Sequence, residues 1–211
     1  MKAAVRGLYA VTPDIADTAE LTAKVEAALA GGASVIQYRN KAAGADLQAA
    51  QARVLQDLCH AKGVPLIVND HLELAMTVDA AGLHLGRDDS SLVEARARLG
   101  PGKLLGASCY NRLASAISAI EAGADYVAFG SFFPSTVKPG AVHAPVSLLR
   151  EARQKLAVPI VAIGGITLDN AAQLVSAGAD AVAVISALFS APDIRVAAKR
   201  FSGLFSSAPA I

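Results

Sequence analysis

A closed (β/α)8 barrel (TIM barrel), an α/β fold in one domain over residues 1–211, is predicted by three features of this chain. Short apolar runs alternate with helix-forming stretches eight times. The joint Ala122-Gly123-Ala124-Asp125-Tyr126-Val127-Ala128 recurs as Ala177-Gly178-Ala179-Asp180-Ala181-Val182-Ala183, with looser versions at Ala30-Gly31-Gly32-Ala33-Ser34-Val35 and Ala80-Ala81-Gly82-Leu83-His84, so one helix-to-strand turn is used repeatedly. No Gly-x-Gly-x-x-Gly follows the first apolar run, which argues against an open doubly wound sheet.

Each element has its own local reason. Gly7 to Val11 is an apolar run closed by Thr12-Pro13, hence a strand with a breaker behind it. Asp17 or Thr18 caps a helix to about Ala30, and Gly31-Gly32 stops it. The second strand begins at Val35 and runs out through Gln37-Tyr38-Arg39-Asn40-Lys41. Helix Asp46 to Lys62, rich in Ala, Gln and Leu, precedes strand Pro65 to Val68. The pattern continues with helix His71 to Val78, strand Gly82 to Leu85, helix Leu92 to Leu99, strand Lys103 to Ala107, helix Arg112 to Glu121 and strand Tyr126 to Phe129. After a long loop come helix Val146 to Leu156, strand Pro159 to Ile163, helix Leu168 to Ser176, strand Ala181 to Ile185 and a last helix from about Asp193 to Phe205, with a frayed tail expected over 206–211.

Composition excludes several function classes. The chain is 54% hydrophobic with mean hydropathy +0.43, and 19 Lys and Arg balance 18 Asp and Glu, so no charge field points to nucleic acid or an anionic membrane. Cys59 and Cys109 show neither metal spacing nor a disulfide framework. The N-terminus lacks a secretion signal's apolar core and no run reaches membrane-spanning length, so a cytoplasmic protein is expected. A homo-oligomer is compatible with the sequence.

In such barrels chemistry sits on the loops at the strands' C-terminal ends, and most polar oddities of this chain fall there. Gln37, Arg39 and Lys41 share one side of their strand as it leaves the sheet, where cations face either water or an anion. Asp70 and Asp89, from neighbouring loops, are placed to converge on a magnesium ion, unless each merely caps the helix after it. Lys138 adds a further cation to the same mouth, and the combination suits a diphosphate. Gly164-Gly165, opening a helix near Thr167, together with Ser186 after the last strand, forms a second anion site, or else only a tight turn. Two anion sites on one rim imply two phosphorylated substrates. His84 reads as a hydrogen-bonded core residue, His60, His71 and His143 as surface residues, and Cys109 lacks a base partner.

Gln-x-Arg-x-Lys at 37–41, Asn69-Asp70, His84-Leu85-Gly86-x-x-Asp89, Gly106-x-Ser108, Phe133-Pro134-Ser135-x-x-Lys138-Pro139, Ile163-Gly164-Gly165-Ile166 and Ile185-Ser186 resemble the thiamine phosphate synthase family over nearly the whole chain, in the right order. The resemblance implies transfer of an aminopyrimidine methyl group from its diphosphate to the nitrogen of a thiazole phosphate. Gln37, Tyr38, Arg39, Asn40, Lys41, Asn69, Ser108 and Lys138 would then hold the pyrimidine diphosphate, with Arg39, Lys41, Lys138 and Ser108 acting in the reaction. Asp70 and Asp89 would bind magnesium, and Ser135, Thr136, Val137, Gly165, Ile185 and Ser186 would hold the thiazole phosphate. The family reaction is dissociative, so no protein nucleophile is needed. Three positions depart from the family pattern: Val137 where Thr is usual, Arg87 where Gln is usual, and Tyr110 where many members have His.

Three other readings share the barrel. A thiazole tautomerase-like isomerase would lack the diphosphate machinery, which Arg39, Lys41, Asp70, Asp89 and Lys138 argue is present. A Schiff-base aldolase would carry its lysine on the sixth strand before a Phe-Phe-Pro run, where this chain has Ser131. The third is a non-catalytic phosphate-binding barrel.

Overall fold

The computed structural model describes residues 5–87, 89–134 and 142–206. Ser135, Thr136, Val137 and Lys138, and the tail beyond Ser206, lie outside the described residues. Eight parallel strands close in sequence order: β1 (Gly7–Val11), β2 (Ala33–Tyr38), β3 (Leu66–Asn69), β4 (Gly82–Leu85), β5 (Leu104–Tyr110), β6 (Tyr126–Phe129), β7 (Ile160–Ile163) and β8 (Ala181–Val184). The helices outside them are α1 (Thr18–Ala30), α2 (Ala45–Ala61), α3 (Leu72–Thr77), α4 (Leu92–Leu99), α5 (Leu113–Glu121), α6 (Ser147–Lys155), α7 (Ala171–Ser176), α8 (Ser186–Phe189) and α9 (Ile194–Gly203). Among the described residues no helix is long and apolar enough to cross a membrane.

Side chains alternate along each strand and so divide between two cores. Outward residues such as Leu8, Ile36, Val68 and Leu105 pack beneath the helices. Inward residues, among them Tyr9, Val35, Ile67, Leu104, Tyr126 and Val161, fill the barrel itself. α1 starts where expected because the Asp17 carboxylate accepts from Ala19 N at 2.7 Å and Glu20 N at 3.0 Å, supplying the partner that the first helical N–H groups lack.

The recurring joint has a physical cause beyond the turn. Asp125 Oδ2 accepts from Arg96 Nη2 at 2.5 Å and from Leu105 N at 2.9 Å. Asp180 Oδ2 repeats the arrangement with Arg153 Nη2 at 2.8 Å and Ile160 N at 2.7 Å. Each aspartate thus ties its own strand to the preceding strand and to the helix before that one. The glycines two residues earlier, Gly123 and Gly178, have φ of 99° and 109°, a conformation that other residues rarely adopt.

At the mouth two expected boundaries shift by several residues and one further helix is present. β5 runs to Tyr110 rather than Ala107, so Ser108 lies within the strand and not on a loop. α7 begins at Ala171, not near Thr167, because Asn170 Oδ1 accepts from Thr167 N at 2.9 Å while Asn170 Nδ2 donates to Gly165 O at 3.0 Å, closing a separate turn. The short helix α8 at Ser186–Phe189 was not expected from the sequence, since four residues carry too little periodicity to signal a helix.

Candidate active site

The C-terminal ends of the strands surround a cavity of about 540 Å3, within the range of small-molecule sites. Gln37, Arg39, Lys41, Asn69, Asp70, Asp89, Ser108 and Ile185 all line it. Val11, Ala128 and Ile163 add apolar wall. A second cavity of about 210 Å3 adjoins it, lined by Gly165, Thr167 and Ser186 and sharing Ile163, Gly164 and Ile185 with the first. The two expected anion sites are therefore neighbours across a common wall. The loop from Gly164 to Thr167, rather than the first turn of α7, borders the smaller one.

Two expected residues turn elsewhere. Tyr38 points outward from β2, and its hydroxyl donates to Gln51 Oε1 at 2.9 Å. Asn40 Nδ2 donates to Ile15 O at 2.9 Å and to the same Gln51 Oε1 at 3.0 Å. Strand alternation explains both: residues 38 and 40 fall on the face opposite Gln37, Arg39 and Lys41, against α2. Their side chains brace the strand end rather than line the cavity.

The chain leaving β2 is held from the loop after β1. Thr12 Oγ1 donates to Arg39 O and accepts from Arg39 N, both at 2.8 Å. Asp14 Oδ1 accepts from Arg39 Nη1 at 3.0 Å and from Lys41 N at 2.8 Å. The partly exposed Arg39–Asp14 pair contributes at most about 1 kcal/mol to stability, so its effect is chiefly to aim the guanidinium. Sequence reasoning missed Thr12 and Asp14, although both follow a strand at the same rim as the other polar residues.

Asp70 and Asp89 cap neither helix. His71 and Ser91 occupy the cap positions. Asp70 Oδ2 pairs instead with Lys41 Nζ at 3.0 Å, and Asp89 Oδ2 accepts from Gly86 N at 2.6 Å. Burial raises the Asp89 carboxyl above its ordinary range; the Gly86 N–H opposes this, and the neighbouring Asp70 carboxylate adds to it. A carboxylate whose charge is disfavoured by burial and by a like-charged neighbour is suited to a divalent cation. Among the described residues no group of three or more His, Cys, Asp or Glu gathers, so an ion here would complete its shell from water and phosphate oxygens.

Arg87 and Tyr110, two of the three positions that depart from the family pattern, touch each other. The guanidinium carbon of Arg87 lies 4.7 Å from the centre of the Tyr110 ring, a cation–π contact at the cavity's edge. The third, Val137, lies outside the described residues.

His84 is the core residue expected, 8% exposed, with Nδ1 3.1 Å from Tyr126 Oη and Nε2 2.9 Å from Ser108 Oγ. Burial pushes its imidazole down from 6.5 to about 4, against the pull of the Asp89 charge. The unfolded chain therefore binds this proton more readily between those values. Stability is whole above about pH 6.5 and falls as pH drops towards 4, by an amount on the order of 3 kcal/mol. Urea midpoints at pH 7 and pH 4.5 should show a smaller acid loss in His84→Gln than in the parent, and equal losses would refute the assignment. Cys109 is buried, which pushes its thiol up to about 12 and leaves it unsuited to nucleophilic attack.

Residues 8–188 match a family model described as thiamine monophosphate synthase. Thiamine-phosphate synthase of Methylobacillus flagellatus is 56% identical over 201 residues, covering 95% of this chain and 96% of that protein. The protein of the same name from Nitrosospira multiformis is 55% identical over 201 residues, covering 95% and 86%. Among solved structures, thiamine phosphate pyrophosphorylase from Pyrococcus furiosus superposes with a TM-score of 0.83 at 33% identity, covering 95% of each chain. The 3-hexulose-6-phosphate synthase of Salmonella typhimurium, at 18% identity and TM-score 0.72 over 94% of this chain and 98% of its own, shares the fold alone.

Proposed function

The chain belongs to the thiamine monophosphate synthase family and is a transferase of thiamine biosynthesis, and we propose that its two adjoining cavities hold a pyrimidine diphosphate and a thiazole phosphate for condensation to thiamine phosphate and diphosphate. The observation that carries this reading is the convergence of Gln37, Arg39, Lys41, Asn69, Asp70, Asp89 and Ser108 on one cavity that shares a wall with the Gly165 and Ser186 cavity.

The reaction asks for three things. The departing diphosphate needs its growing charge matched, and Arg39 and Lys41, joined by Lys138, are the cations for it. The pyrimidine needs orientation, which Gln37, Asn69 and Ser108 supply by hydrogen bonds, with Gln37 Nε2 donating to Asn69 Oδ1 at 3.3 Å to keep that pair in register. The pyrimidine methyl cation of a dissociative path must meet the thiazole nitrogen before water does. The apolar wall of Val11, Ala128, Ile163 and Ile185 limits water around it. Asp70 and Asp89 fit a magnesium ion, which when bound would neutralise diphosphate charge. The thiazole phosphate would lie against Gly165, Ile185 and Ser186, and Ser135, Thr136 and Val137 are the further residues proposed to hold it.

Purified protein given both phosphorylated precursors should form thiamine phosphate and diphosphate with magnesium and not without it. Binding of the thiazole phosphate with no product, in a folded protein, would overturn the synthase reading in favour of an isomerase or a non-catalytic barrel.

A further inference from the structure

Four side chains form a continuous line of hydrogen bonds from the barrel interior up to the cavity. Tyr9 Oη lies 2.9 Å from Tyr126 Oη, Tyr126 Oη 3.1 Å from His84 Nδ1, and His84 Nε2 2.9 Å from Ser108 Oγ. Tyr9 and Tyr126 are sealed in the interior at 2% and 0% exposure, whereas Ser108 borders the cavity. The register explains the line. His84 pairs with Gly106, and Gly106 with Tyr126, so a residue without a side chain separates the two rings across β5 and lets them meet, with ring centres 5.5 Å apart.

The direction of these bonds follows from counting hydrogens. Each tyrosine hydroxyl, the serine hydroxyl and a neutral imidazole contributes one polar hydrogen. The His84 ring nitrogens meet two hydroxyls and no carboxylate among the described residues, so the imidazole carries one polar hydrogen. Four hydrogens then serve three bonds, and the spare one lies at an end because Tyr126, sealed between Tyr9 and His84, has no further acceptor for it. At the Tyr9 end it would point into an apolar interior, where among the described residues Tyr9 has no second partner, and a buried donor left without an acceptor is costly. At the Ser108 end it points into the cavity.

We infer that the line is polarised: Tyr9 donates to Tyr126, Tyr126 to His84 Nδ1, and His84 Nε2–H to Ser108 Oγ, so that Ser108 offers its own hydrogen to the substrate. Tyr9, Tyr126 and His84 are positioning residues for Ser108. The consequence for recognition rests on the pyrimidine site proposed above. Ser108 selects a hydrogen-bond acceptor, which on an aminopyrimidine is a ring nitrogen and not the amino group. A ligand presenting N–H at that point would face a donor already committed against it.

The test reads the His84 tautomer by 15N NMR of the ligand-free protein at pH 7, its signals identified by their loss in His84→Gln. The proton is expected on Nε2 in the parent and in Tyr9→Phe, because Tyr126 still donates to Nδ1 there. Tyr126→Phe removes that donor, so a mixture of tautomers is expected, with KM for the pyrimidine diphosphate raised about three- to tenfold and KM for the thiazole phosphate unchanged. A parent protein protonated on Nδ1, or a Tyr126→Phe variant that keeps both the tautomer and the KM, overturns the inference. The tautomer is measured without turnover, so a protein inactive on these substrates would count against the proposed reaction and leave the polarity separately measurable.

Discussion

Asp70→Asn and Asp89→Asn are each expected to lower magnesium-dependent formation of thiamine phosphate about a hundredfold or more, which corresponds to losing a few kcal/mol of charge stabilisation at the departing diphosphate. The same changes should leave the fold intact. Asparagine tolerates the left-handed backbone of Asp70, whose φ is 62°. At position 89 an amide oxygen still accepts from Gly86 N, and the like-charge contact with Asp70 disappears. Thermal midpoints at pH 7 should therefore match or exceed the parent's while activity collapses, the separation expected where a site holds charge at the fold's expense. Magnesium titrations of both variants provide the check, and unchanged magnesium dependence in the pair would remove the metal assignment.

Gly106→Ala should have the largest effect on stability. A Cβ at this position would sit 2.1 Å from Tyr126 Cζ and 2.5 Å from His84 Nδ1, inside a closed barrel where neither ring has free space. Overpacking of this kind costs about 1–3 kcal/mol, and with strands tied on both sides the upper figure is expected. For a chain of this size that lowers the thermal midpoint by roughly 10 °C. It should also break the His84–Tyr126 bond and with it the polarity of Ser108. Gly102→Ala is the control, since no atom lies within 4 Å of its added carbon. Equal midpoints for the two variants would show that the barrel interior accommodates the methyl group.

The legible part of the site was the part written in single strands. The alternation that placed Gln37, Arg39 and Lys41 on one side held through the strand end, and the polar residues after β2, β3 and β4 do gather around one cavity. The same alternation, applied to Tyr38 and Asn40, sends them towards α2, which a motif read as a continuous stretch conceals. Asp70 and Asp89 each had a plausible use as a helix cap, and only the loop geometry distinguished Lys41 and Gly86 N as their partners. Thr12 and Asp14 show the opposite case: ordinary turn residues in sequence, they orient Arg39 because closure of the barrel sets β1 beside β2.

The sequence by itself determined the eightfold alternation, hence the barrel, the rim on which its chemistry lies and the family to which its motifs point. Periodicity and turn chemistry are local, and local information suffices for these. The tertiary structure alone decided that Gly106 lies between His84 and Tyr126, that Tyr9 completes their line, and that the two cavities share a wall. Those relations depend on strand register and on closure of the sheet, which bring together residues 117 positions apart in the chain, a separation across which sequence periodicity carries no phase.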